Sequence, residues 1–97
     1  MAAITLSVQA RDELDAIIDY YAKVGASGFS EIIEESIVQR LRSLIRYPRI
    51  GRVVPEIMDE SIRELLYRNF RIVYSVSADG TEVLILTIIH SSKEFSV

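Results

Sequence analysis

The segment Glu82 to His90, EVLILTIIH, is apolar at both alternating positions. Side chains of a strand point to opposite faces in turn. A strand that is apolar at both parities is therefore buried on both faces, which places it inside a sheet and not at its edge. The run Val83 to Ile89 is also the longest apolar stretch of the 97-residue chain. It falls far short of the roughly 20 residues that a membrane-spanning helix needs. One buried strand demands neighbours beside it and a second layer above it. The remaining sequence has to supply both.

It does so in a readable order. AITLSVQ alternates Ile4, Leu6 and Val8 with polar residues and reads as a first strand, a candidate neighbour of the last one. From Ala10 the period changes: Ala10, Leu14, Ile17, Ile18 and Tyr21 recur at helical spacing. Asp12, Glu13, Asp15 and Asp19 occupy the other faces, acids that suit the first turns of a helix. Ser7 or Gln9 lies near the cap, and Gly25 is expected to end the helix in a left-handed conformation. Ser27 or Ser30 caps a second helix, whose apolar stripe is Phe29, Ile33, Ile37, Leu41 and Leu44. Tyr47-Pro48 stops it, because the residue before proline is pushed out of the α region. PRIGRVVPE is a loop, with Val53-Val54 docking it onto the core. Ile62–Tyr67 and Phe70–Val76 are strands joined through Arg68-Asn69. Asp79-Gly80 is a hairpin signal leading into the last strand. The order β-α-α-β-β-β gives a single α+β domain over residues 1–97: two layers, a helical hairpin packed on an antiparallel sheet that ends in a three-stranded meander.

Composition narrows the chemistry. The chain has no cysteine and one histidine, with no carboxylate cluster at ligand spacing, so no metal site and no cofactor are expected. No glycine-rich loop opens a helix after a strand, and no nucleophile elbow accompanies His90. Without cysteines, and with no basic-then-apolar leader in MAAITLSVQARDEL, the default compartment is the cytoplasm, with no membrane partner. Charge is unevenly spread. Residues 1–39 carry a net −5, residues 40–75 a net +4 and the tail −2. Nucleic-acid binders are more basic as a whole, so only the middle third can offer a basic patch.

That third contains RELLYRNFRIVYSV. A two-residue turn at Arg68-Asn69 pairs Tyr67 with Phe70, Leu66 with Arg71 and Glu64 with Val73. Arg63, Leu65, Tyr67, Phe70, Ile72, Tyr74 and Val76 then share the face toward the helices. Arg71 and Glu64 share the other face, and a solvated cross-strand pair is the expected arrangement there. The alternative use of Arg71 is as a fork for phosphate or carboxylate, which arginine supplies better than lysine. His90 is expected near the Tyr67-Arg68 end of the hairpin. Glu56 is an acid in the loop entering the sheet.

ARDELDAIIDYY, YPRIGRVVPE, IRELLYRNFRIVYSV and the terminal VLILTIIH, in this order and over nearly the whole chain, resemble the RelE/ParE superfamily of type II toxin–antitoxin toxins, including plasmid-stabilisation systems. The resemblance implies a helical hairpin on a small antiparallel sheet. It also implies a cognate antitoxin that wraps the toxin, in a homodimer or a toxin–antitoxin hetero-oligomer. The RelE-like branch cleaves messenger RNA in the ribosome without metal. On that branch the matching residues are Arg71 as phosphate clamp, His90 as acid and Glu56 or Lys93 as base, with Arg63 or Arg68 assisting. The ParE-like branch poisons DNA gyrase and carries no established catalytic set. An isoelectric point near 5.1 and the tail HSSKEFSV, which lacks a tyrosine, favour the ParE-like branch. A ribosome-dependent ribonuclease is the alternative, and an inactive superfamily member a third. Arg49, Arg52, Arg63, Arg68 and Arg71 are the candidates for binding target or antitoxin.

Overall fold

The computed structural model describes residues 1–25 and 28–92. Strand β1 (Ala3–Leu6) leads into helix α1 (Val8–Val24) and helix α2 (Phe29–Arg46). A short β2 (Arg52–Val53) follows, then β3 (Ile62–Tyr67), β4 (Phe70–Val76) and β5 (Glu82–His90). The five strands form one sheet in the order β1-β5-β4-β3-β2. The α+β, two-layer arrangement is the one expected.

Two features of the sheet go beyond the expectation. β1 does lie beside β5, but parallel to it, so the sheet is mixed and not wholly antiparallel. The cause is topological: the helical hairpin carries the chain back to the other end of the sheet before the meander starts. The loop expected at 48–56 also adds a short edge strand, β2, paired with Arg63 and Glu64 of β3.

β5 is interior, as its apolar sequence demands, but its two parities have a second explanation. Val73 pairs with Thr87 and Tyr74 with Ile85, which leaves Leu86 as a bulge. The extra residue shifts the alternation, so Val83, Ile85 and Ile88 all join the core under the helices. Leu84, on the other parity, is 38% exposed. The double-sided apolarity is thus partly a record of the bulge and only partly of burial on both faces.

The helices divide the work unequally. α2 buries Ile33, Ile37, Leu41 and Leu44, whereas α1 buries only Ala10 completely. Leu14, Ile17 and Tyr21 of α1 are half-buried against the core. α1 starts two residues earlier than its periodicity suggests, at Val8. Ser7 is its cap, with its hydroxyl accepting from the Ala10 N–H at 3.0 Å. This shift takes Asp12 and Glu13 out of the first turn. Glu13 instead accepts from the Thr87 hydroxyl at 2.7 Å and the Ile88 N–H at 3.0 Å, on the edge of β5 that β1 no longer covers. The Ser7 hydroxyl donates to the Leu86 carbonyl on the same edge at 2.9 Å.

Both expected devices between the helices differ. Gly25 is extended, with φ −87° and ψ 171°, and its N–H returns to the Tyr21 carbonyl, so the helix ends without a left-handed residue. The N-cap of α2 is Gly28 and not a serine, because the helix begins at Phe29. Ser30 falls inside the first turn and bonds Glu31, while Ser27 lies outside the described residues. Pro48 follows the end of α2 as expected. No helix among the described residues is long and apolar enough to cross a membrane.

Candidate functional site

The β3–β4 hairpin has the register its turn dictates: Tyr67 faces Phe70, Leu66 faces Arg71 and Glu64 faces Val73. Arg68 takes the left-handed backbone conformation, φ 51°, that closes so short a turn. Arg71 and Glu64 share the face away from the helices. The pair is not solvated, which corrects the expectation. Glu64 is 1% exposed and Arg71 5%. The turn after β2 folds over them, anchored by Val54, whose N–H donates to the Ile62 carbonyl. Val54 and Val73 are fully buried there, outside the helix-side core.

Glu56 of this turn completes the arrangement. The Arg71 guanidinium holds both Glu56 oxygens, at 2.6 and 2.8 Å, and its Nε donates to Glu64 at 2.6 Å. Glu64 also accepts from Nε of Arg52. The result is a chain of alternating charges, Arg52–Glu64–Arg71–Glu56, in which each inner group is matched on two sides. The hydrogen bonds that Arg71 donates to Glu56, and then to Glu64, raise its pKa, against the opposing effect of burial. The inner pair Glu64–Arg71 is tolerated in a dry place because no buried side-chain polar atom among the described residues lacks a partner, while the outer Arg52 reaches solvent.

The other sequence-selected residues are dispersed. His90 pairs across the sheet with Phe70, at a ring separation of 6.4 Å. Phe70 and Arg71 are consecutive on a strand, so His90 and Arg71 lie on opposite faces. His90 is exposed, and its Nδ1 meets the Ser92 hydroxyl at 2.8 Å. Lys93 lies outside the described residues. Arg63 donates to the carbonyls of Arg49, Gly51 and Glu60. Arg49 donates to the carbonyls of Ser77 and Ala78 in the hairpin before β5. These two arginines staple the loop at 48–52 to the sheet. Gly51 is the reason the loop fits: a Cβ there would stand 2.5 Å from the Glu64 carbonyl and 2.6 Å from the Tyr74 hydroxyl. The Gly51 N–H donates to that hydroxyl at 2.9 Å. Burial raises the Tyr74 pKa, so the phenol stays neutral there.

A second cluster escaped the sequence reading. Between α2 and β3 lies a groove of about 630 Å³, lined among others by Ile32, Arg40, Ile50, Leu65 and Tyr67. Two guanidiniums lie over the Tyr67 ring, Arg40 at 5.4 Å and Arg68 at 5.7 Å from its centroid. Nε of Arg68 also donates to the Tyr67 hydroxyl at 3.1 Å. Burial raises the pKa of this phenol, but hydrogen bonds from Ser36 and Arg68 and the two positive charges outweigh it, and the net shift is downward. The sequence offered Arg68 as a partner-binding candidate, but nothing in it joined Arg68 to Tyr67 and to Arg40 on the helix.

A family model described as the ParE toxin of the type II toxin-antitoxin system parDE matches residues 4–95. The chain belongs to the ParE toxin family. Among solved structures it is similar to a chromosomal ParDE toxin–antitoxin system from P. aeruginosa, at 25% identity and a TM-score of 0.74, covering 93% of this chain and 96% of that one. It also shares its fold with a chain of the RelBE2 toxin–antitoxin complex from Mycobacterium tuberculosis, at 20% identity and a TM-score of 0.64, covering 92% and 96%. No curated protein matches the chain. The α+β toxin fold expected from the sequence is the one these relatives share.

Proposed function

We propose that this ParE-family toxin arrests growth by binding its target, with DNA gyrase as that target, and that a cognate antitoxin neutralises it. One observation carries the choice of a binding poison over a nuclease. Among the described residues, those an RNA-cleaving site would draw on, Arg71, Glu56 and His90, are engaged with one another or kept apart. A metal-free cleavage of RNA needs a base for the 2′-hydroxyl, an acid for the leaving oxygen and a cation facing the phosphate. Here Arg71 grips Glu56 and Glu64 on one face of the sheet, and His90 stands on the other. A base salt-bridged to the clamp accepts a proton poorly, and a clamp saturated by carboxylates has little to offer a phosphate. The similarity to a ParDE system supports the antitoxin as partner.

The test uses purified gyrase, plasmid DNA and the full chain. The expected result is loss of supercoiling with accumulation of cleaved DNA, relieved by the antitoxin. Unchanged supercoiling, together with cuts in messenger RNA on translating ribosomes that vanish in Arg71→Ala, would overturn the reading in favour of the ribonuclease. Plasmid loss assays on a low-copy vector would then report whether the module stabilises its replicon.

A further inference from the structure

The arginines offered by the sequence as partner-binding residues are mostly spent inside the toxin. Arg71 and Arg52 meet carboxylates, and Arg49 and Arg63 meet backbone carbonyls. Arg68 and Arg40 are different. Among the described residues neither has a carboxylate within ion-pair distance. Both lie within 6 Å of one tyrosine ring, Arg40 on the wall of the groove and Arg68 in the turn beside it. Like charges held together are unfavourable unless an anion joins them. The ring itself is 7% exposed, so it serves as the seat of the guanidiniums and offers no stacking surface of its own. The groove also exposes apolar surface: Ile32 and Ile50 are each 57% exposed, beside the exposed Glu35 and Gln39.

We propose that Arg40 and Arg68, seated on Tyr67, form an anion-reading site where the α2–β3 groove meets the β3–β4 turn. They take a carboxylate from an acidic, amphipathic segment of the antitoxin, whose aliphatic side chains rest on Ile32, Ile50 and Leu65. The proposal rests on the antitoxin reading above and places the charge recognition at these two residues. Arginine suits the task because its planar fork holds both oxygens of a carboxylate. A nucleic-acid strand fits less well. The ring cannot stack with a base, and the apolar wall has no counterpart in a phosphate backbone. The bound carboxylate would also neutralise the charges that hold the Tyr67 phenol low, so its ionisation should move upward on complex formation.

Calorimetric titration of the full chain with the antitoxin protein encoded beside it tests this. Arg40→Gln and Arg68→Gln should each weaken binding about tenfold, the loss expected for one charge-assisted hydrogen bond. Arg42→Gln, exposed on α2 outside the groove, should leave it unchanged. Thermal midpoints identify any variant that fails to fold. The Arg40→Lys/Arg68→Lys pair keeps the charges and loses the forks, and it should still bind several-fold more weakly than wild type. A folded Arg40→Gln/Arg68→Gln variant that binds within threefold of wild type would overturn the proposal and leave the antitoxin reading intact. No binding by the wild-type chain would overturn both. Single-stranded RNA held by the wild type and released by the double variant, with antitoxin affinity unmoved, would overturn the carboxylate assignment. An upward shift of Tyr67 ionisation in the complex, absent from Tyr67→Phe, would support it.

Discussion

The two faces of the sheet are buried by different chemistry. Under the helices Tyr74, Ile72, Ile85 and Ile88 meet Ile33, Ile37 and Leu44 in an apolar core. On the far face, Val54 and Val73 flank a chain of four charges closed by a turn. An apolar core gains from each methylene removed from water and degrades gradually when one is lost. A buried ion chain gains little over an apolar replacement but collapses when one link is removed, because the remaining charge stays buried without its match. The far face is therefore the more brittle side of this toxin, and the helix face the more stabilising one.

Four measurements can break that contrast or refine it. The largest effect is expected at Glu64. Replacing it with alanine leaves Arg71 with Glu56 alone and should cost roughly 3–5 kcal/mol in urea unfolding. The apolar double replacement Glu64→Leu/Arg71→Met should recover most of that loss. If it does not, the chain of charges stabilises in its own right and the contrast is wrong. On the other face Ile37→Ala should cost about 2–5 kcal/mol, with no partner substitution able to restore it. Tyr74→Phe sits where the faces communicate, since its hydroxyl accepts the Gly51 N–H that positions β2. Its loss should cost about 1–2 kcal/mol and speed amide exchange at Gly51.

The smallest effect concerns acid. Hydrogen bonds from Ser77 and Thr81 hold the Asp79 carboxyl down to about 2. A carboxylate with a lowered folded-state pKa contributes stability above its unfolded value, lost as pH falls through the folded one. The toxin should therefore weaken between about pH 4 and pH 2. Asp79→Ala should flatten that part of the profile, and an unchanged profile would move the assignment to Asp59, whose carboxyl hydrogen bonds from Ser61 also hold low.

Sequence alone carried the hairpin well. A two-residue turn fixes register, and register fixes which residues share a face, so the side assigned to Arg71 was legible before the structure. Its burial was not. Alternation along β3 and β4 says nothing about a covering turn that arrives from residues 54–60, and a charged pair read in isolation defaults to water. The same limit applies to β2, too short to show a period, and to the Arg40–Tyr67–Arg68 cluster, which joins a helix face to a strand end across the fold. Glu13 was misread for a related reason. Its position near a helix start suggested a dipole partner, whereas the early start of α1 at Val8 moved it onto the edge of β5.

That placement of Glu13 has a consequence for solubility. β1 pairs with β5 only as far as Ile85, so the second half of the most apolar strand presents an uncovered row of backbone groups. Such a row is a template on which another chain can add itself. The Glu13 carboxylate occupies the Ile88 N–H and the Ser7 hydroxyl occupies the Leu86 carbonyl, as the backbone of a further strand would. A helix has taken the place of a missing strand, and this edge of the sheet stays closed to a further strand for as long as α1 remains docked.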